Sequence, residues 1–217
     1  KGELKLIGYD YGLPIPYDKI PEGESIIMID VSLKMSEMSK LARHSKNLIW
    51  IDHHISAIKE YEAFMTEQEE HYHPYFKAVL QNGIAACEIA WNYLFPNQVM
   101  PKAIKLLGEY DTWRNNDKER WENEILPFQF GMRLYCNSPE TFPKALIYND
   151  VERESWETVD YIVKQGKTVL QYQTMLNEIQ CKNAAVVYDF NGYKAICLNG
   201  GGFNSDVFKS IYDETKH

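Results

Sequence analysis

Three rhythms of apolar and polar residues run along this chain and predict its elements. Two short, unbroken apolar runs come early. One lies in S-I-I-M-I-D-V-S (Ser25–Ser32), the other in L-I-W-I-D-H-H-I-S (Leu48–Ser56). Such runs, closed by polar residues, are the pattern of strands buried on both faces. Met35–His44 between them is made of helix formers. Strand, helix and strand over about 25 residues is the spacing of a βαβ unit, and right-handed crossover makes the two strands parallel. A helical rhythm follows in Gln81–Phe95, where Ile84, Cys87 and Trp91 share a face behind an Asn82-Gly83 turn. It returns in Lys102–Trp113, with Ile104, Leu107 and Tyr110 in step, and in Ile125–Tyr135. A short helix is expected over Pro139–Ile147, started by Ser138. A long one runs from about Val151 to Gln180, interrupted only by Gly166.

The third rhythm is that of a hairpin. Ala184–Phe190 and Tyr193–Leu198 flank Asn191-Gly192, the strongest short signal for a two-residue turn. A last helix is expected over Phe203–Tyr212. At the other end Leu4–Tyr9 reads as a strand, Asp10–Pro21 with its three prolines as loop, and acidic Glu60–His73 as loop. Together these predict an α/β protein. A parallel sheet flanked by helices fills residues 1–150, a connecting helix spans 151–180, and a smaller α/β domain begins over 181–217.

Composition narrows the class. Of the 217 residues, 45% are apolar and 25% charged, an ordinary soluble balance. No apolar run approaches the 18 or so residues that span a membrane, and Lys1–Lys5 lacks the apolar segment of a signal peptide. Four scattered cysteines without a C-x-x-C pair read as free thiols of a cytoplasmic protein. The net charge of −8 argues against long duplex nucleic acid, whose affinity rests on Lys and Arg neutralising phosphates. A short oligonucleotide or small nucleotide, held through metals and a few local cations, fits better.

The chemistry gathers at the strand ends. In an open parallel sheet, ligands bind outside the carboxyl ends of the strands, where Asp52, His53 and His54 lie. A carboxylate and two imidazoles are costly to bury without partners, and a metal or a phosphate would supply them. Single histidines near strand ends are usually structural. Asp-His-His arises by chance in roughly one chain in a hundred of this length, so a second acid at a matching place decides between the readings. Asp30 closes the neighbouring strand. Alone it reads as a turn residue; paired with Asp-His-His it reads as part of a shared metal site. Asp111, near the end of a helix, takes its weight from the same company. Arg114 directly follows and is a candidate substrate contact. His71 and His73 form H-x-H, but among acidic neighbours they read as a solvated face. Gly200–Gly202 lacks a phosphate-loop frame and reads as a plain connection.

With these stretches the chain resembles the DHH family of phosphoesterases, named for the Asp-His-His seen at Asp52–His54. Asp30 in I-D-V-S is similar to that family's second motif, and Asp111 in G-E-Y-D-T-W to its fourth. The branch it most resembles holds oligoribonucleases and cyclic-nucleotide phosphodiesterases related to RecJ-like exonucleases. The likeness runs from Leu4 to about Phe208. It implies two-metal phosphodiester hydrolysis with Mn²⁺, or with Mg²⁺ or Co²⁺ in its place. On that resemblance Asp30 bridges the ions, His53 and Asp111 are ligands, His54 meets the phosphate or leaving oxygen, and Asp52 orients an imidazole. A homodimer is compatible with it.

The likeness has gaps. Nothing before Asp30 matches the family's first motif, a histidine and paired aspartates; Asp10 in G-Y-D-Y-G is a lone acid. Gly200–Gly202 is followed by Phe203, not by the histidine of the family's Gly-Gly-Gly-His. The sequence is therefore expected to be short at both ends or to come from a degenerate member, with one ion held firmly and a longer parent as the active form. Three function classes stand: a phosphodiesterase of short oligoribonucleotides or small (cyclic) nucleotides, a small-molecule phosphatase or pyrophosphatase, and a catalytically defective nucleotide-binding module.

Overall fold

The two apolar runs lie side by side, as their spacing requires. The computed structural model describes residues 4–67, 76–148, 157–200 and 205–212. β1 (Ser25–Ile29) and β2 (Asn47–Asp52) pair in parallel with Ile29 opposite Ile51, and α1 (Met35–His44) makes the crossover. β3 (Phe76–Leu80) pairs in parallel on the far side of β2, giving the order β1-β2-β3. Side chains alternate along a strand, so central β2 feeds two cores. Leu48 and Trp50 pack with Met28, Met38, Leu41 and Phe76 on one face. Ile51 packs with Ile89 and Ala90 of α3 (Ala86–Leu94) on the other. Leu48 and Ile51 are fully buried, each stabilising the fold by roughly 1.5–3 kcal/mol relative to an exposed position. A strand covered on both sides has place for polar residues only at its ends, and Asn47 and Asp52 are those ends.

Several boundaries differ from the sequence reading. Leu4–Tyr9 forms no strand, and Leu4 and Leu6 are exposed; an apolar run becomes a strand only where a neighbour completes its backbone hydrogen bonds. The acidic stretch expected as loop is helical as far as Glu67, in α2 (Ile55–Glu67). Buried Ala57 and the partly buried Tyr61 and Phe64 face the core at helical spacing, while Glu60 and Glu62 face solvent. His71 and His73 lie outside the described residues. β3 was not anticipated: its F-K-A-V-L run is short and carries Lys77, whose ammonium sits over the Tyr93 ring. α3 begins at Ala86, after a turn that places Gly83 at φ +83°, a conformation glycine adopts without strain. Its buried face is Ala86, Ile89, Ala90 and Trp91; Cys87 is exposed as a residue, but its thiol turns in toward the Ile104 carbonyl at 3.9 Å. α4 (Lys102–Asp111) turns Ala103, Ile104 and Leu106 inward.

The chain divides into two compact units, between Asn116 and Asp117. The second unit opens with a single turn, α5 (Lys118–Arg120), and a π-helical turn (Trp121–Ile125) that leads into α6 (Leu126–Tyr135). α7 (Val159–Ala184), expected as a connecting helix, packs along α6 within this unit. Its Gly166 is no interruption. A β-carbon there would fall 1.7 Å from the Pro127 carbonyl oxygen, and one at Gly131 of α6 would fall 2.1 Å from that of Ile162. The two glycines permit the close crossing. The region expected to form one short helix splits into 3₁₀ turns at Pro139–Thr141 and Lys144–Leu146, because Pro143 between them has no N–H to give.

β4 (Ala185–Phe190) and β5 (Tyr193–Leu198) form the expected antiparallel hairpin. Asn191 and Gly192 both have positive φ, 54° and 86°, the signature of a type I′ turn. A 3₁₀ turn, Ser205–Ser210, stands where the last helix was expected; residues 201–204 lie outside the described residues. The protein is thus mixed α/β, with a three-stranded parallel sheet flanked by helices and a small antiparallel sheet. Among the described residues no helix is long and apolar enough to cross a membrane.

Candidate metal centre

Asp52 ends β2 with its side chain wholly buried. Its Oδ1 accepts the backbone N–H of His53 (2.6 Å) and of His54 (3.0 Å) and lies 2.7 Å from His54 Nδ1. Its Oδ2 accepts the indole N–H of Trp50 at 3.2 Å. An aspartate bonding the amides just beyond it builds a tight turn, and here the turn presents both histidines. With both oxygens engaged and no solvent contact, Asp52 is placed to orient the His54 ring rather than to meet a ligand directly.

His53 is the meeting point. Its Nε2 lies 3.1 Å from Asp30 Oδ1 and 3.3 Å from Asp111 Oδ2, so one imidazole nitrogen faces carboxylates from two other elements. The His54 ring is 4.5 Å from the His53 ring between centroids, and its Nδ1 is 3.8 Å from Asp30 Oδ1. Asp30, His53 and His54 each offer a ligand atom, all within 4.8 Å of one another. Asp30, His53, His54 and Asp111, expected to share a site, are thereby together, with Asp52 beneath them.

Asp30 reaches this position at a conformational cost. It sits just past β1 at φ +60°, a left-handed conformation that costs an L-residue roughly 1–2 kcal/mol, least for Asp and Asn. Hydrogen bonds bracket it: Asp30 N–H donates to the Ile51 carbonyl (3.0 Å), and the Val31 carbonyl accepts the Trp50 indole N–H (3.0 Å).

Asp111 is the last residue of α4, and the chain after it is anchored. The Thr112 hydroxyl donates to the Gly108 carbonyl, Arg114 N–H to the Glu109 carbonyl, and Arg114 Nε to Thr112 Oγ1. Arg114, expected as a substrate contact, directs its Nη2 to buried Glu88 of α3 in an ion pair. Glu88 also accepts the Ala85 N–H at the start of α3. A β-carbon at Gly108 would fall 2.4 Å from Glu88 Oε2, so glycine there makes room for this carboxylate. The sequence reading missed Glu88 and Trp50. A lone acid inside an apolar helix and a Trp within a buried strand are the signals, since each must find a polar partner.

The charges suit a cation. The Asp30 carboxyl is held above its ordinary range by burial first, then by the Asp111 carboxylate, against the pull of His53 and His54. His54 is raised chiefly by its hydrogen bond to Asp52, against its own burial, with the Asp52, Asp30 and Asp111 charges adding. The Cys87 thiol is pushed up to about 12 by desolvation and neighbouring acids, so it stays protonated at neutral pH. Imidazole nitrogen and carboxylate oxygen without thiolate is a donor set that divalent cations accept. The repulsion between Asp30 and Asp111 is what a cation would relieve.

A pH dependence follows. Both Asp30 and His54 have folded-state values above their unfolded ones, so each stabilises the metal-free fold most at low pH. That stability is lost as pH rises, first past the carboxyl range and then above the imidazole value of about 6.5. An ion that binds the deprotonated Asp30 carboxylate restores the part lost at Asp30. The gain in Tm on saturation with Mn²⁺ is therefore expected to be larger at pH 7.5 than at pH 5. Equal gains across that range in a scanning-fluorimetry series would refute the coupling.

No family model and no solved structure matches this chain. An uncharacterized protein of Acanthamoeba polyphaga mimivirus is 24% identical over 193 residues, which make up 88% of this chain and 40% of that protein. The chain spans well under half the length of that relative.

Proposed function

We propose that this site hydrolyses phosphodiesters with the aid of divalent ions, in the manner of the DHH phosphoesterases, on short oligoribonucleotides or small nucleotides. One observation carries the reading: His53 Nε2 stands within 3.3 Å of carboxylates from both Asp30 and Asp111, at the carboxyl edge of a parallel sheet, where such folds bind ligands. Asp30, His53 and Asp111 would hold the ion, Mn²⁺ by preference. When bound, the ion supplies Lewis-acid stabilisation of the charge that develops on the phosphoryl oxygens.

The chain's own groups do the rest. Asp52 accepts the Nδ1 proton of His54 and fixes the ring, leaving Nε2 as its remaining proton-carrying atom. The raised affinity of His54 for a proton suits it to protonate a leaving oxygen near neutral pH. The Arg114–Glu88 pair fixes the segment behind Asp111. A net charge of −8 favours substrates with few phosphates.

Turnover of dinucleotides, cyclic nucleotides, pyrophosphate and long duplex DNA with added Mn²⁺ tests the proposal. Hydrolysis of the dinucleotides or cyclic nucleotides, with a log–log salt slope for binding of only about −1 because one or two phosphates are neutralised, is expected. Turnover of pyrophosphate alone would move the site to the small-molecule phosphatases. Binding of nucleotides without turnover would make it a nucleotide-binding module.

A further inference from the structure

Trp50 is fully buried, and its side chain points away from solvent into the core under α1 and α2. Its ring stacks near Phe76, 6.4 Å between centroids at 17°, and meets Tyr61 edge-on at 5.8 Å. Packing of this kind needs an aromatic ring but no N–H. Yet the indole N–H is shared between two acceptors on different segments, one two residues past β1 and one at the end of β2: the Val31 carbonyl at 3.0 Å and Asp52 Oδ2 at 3.2 Å. The first belongs to the residue directly after Asp30. The second is the carboxylate whose other oxygen holds the amides of His53 and His54 and the His54 ring.

We propose that Trp50 is a positioning residue, its single indole N–H clamping the Asp30 turn and the Asp52–His54 turn into one register so that Asp30 meets His53. The left-handed Asp30 would otherwise be free to relax to an extended conformation, carrying its carboxylate off the His53 nitrogen. Before the turn the Asp30 N–H bond to the Ile51 carbonyl opposes that relaxation; after it the Trp50 bond does, with the exposed Ser32 N–H donating to Tyr11 Oη at 3.3 Å. The proposal rests on reading the Asp30–His53–Asp111 cluster as a metal centre, but the clamp itself is a statement about backbone order.

The test separates the two. Trp50→Phe keeps an aromatic ring against Phe76 and Tyr61 and deletes the donor. A second variant carries 3-benzothienylalanine at position 50, which has the indole's shape with sulfur in place of N–H and guards against misfolding of the first. In metal-free protein, amide hydrogen exchange at Asp30 is expected to accelerate at least tenfold in both variants, while amides in the middle of α3 keep their rates. Mn²⁺ affinity by calorimetry is expected to fall about 10–100-fold, the usual effect of losing a group that orients metal ligands. Unchanged exchange at Asp30 in the benzothienyl variant would overturn the clamp whatever happens to metal binding. If the parent chain binds no Mn²⁺ while Asp30 exchange still accelerates, the clamp stands and the metal-centre reading fails.

Discussion

Asp30→Asn is expected to abolish firm Mn²⁺ binding while leaving the metal-free fold as stable as before or more so. The two halves of this result come from the same geometry. Asn tolerates the left-handed φ of +60° as Asp does, so the turn after β1 survives. Replacing the carboxylate also removes a charge disfavoured first by its burial and then by Asp111, the two causes that raise the Asp30 carboxyl, so the metal-free protein loses a source of strain. The ion loses an anionic ligand facing His53 Nε2. Affinity is expected to fall by on the order of a hundredfold or more, and hydrolysis by at least as much, as when one electrostatic element of a transition state is removed. Calorimetric titration with Mn²⁺, paired with a urea melt without metal, reads both effects. A variant that binds Mn²⁺ as tightly as the parent chain would take Asp30 out of the site. One that simply unfolds would assign Asp30 a structural role instead.

What the sequence made legible was whatever depends on local pattern. β1, α1 and β2 were read to within a residue because β2 is covered on both faces and so is apolar throughout between its ends, from Leu48 to Ile51. The turn at Asn191-Gly192 was equally clear, since few other residue pairs adopt two positive φ values in succession. α2 was misread because its acids, Glu60 and Glu62, dominate its composition, whereas its fold follows from Ala57, Tyr61 and Phe64 on the opposite side. β3 was missed because five residues with a lysine among them set no period; β2 beside it makes it a strand. Gly166 read as a helix breaker, but its role is decided by Pro127, far away in the sequence. The candidate site shows the same division. Asp30, His53, His54 and Asp111 could be picked out by residue type and place. The Glu88–Arg114 pair and the shared N–H of Trp50 are products of tertiary packing, and no spacing rule points from Glu88 to a residue 26 positions later.

Asp52 shows how much one buried carboxylate organises. It is the acceptor for His53 N–H, His54 N–H, the His54 ring and, in part, the Trp50 N–H. Asp52→Ala would leave the two backbone amides and the Trp50 N–H without this buried acceptor, beneath the half-exposed His54 ring. The loss of unfolding free energy is expected to be on the order of 3–5 kcal/mol, the range for breaking a buried, charged hydrogen-bonded group on one side only. Asp52→Asn should lie between alanine and the parent. Its amide oxygen can replace Oδ1 toward the two backbone amides and the His54 ring. Its NH₂ then points at the Trp50 N–H, donor against donor. In both variants His54 loses the anion that chiefly raises its proton affinity, so its titration, followed by NMR, is expected to move down toward the ordinary imidazole value. Urea melts of the two variants decide the stability claim. Should Asp52→Ala fall within 1 kcal/mol of the parent chain, then the His53–His54 turn is held by its neighbours. Asp52 would in that case be a passenger in the site rather than the residue that builds it.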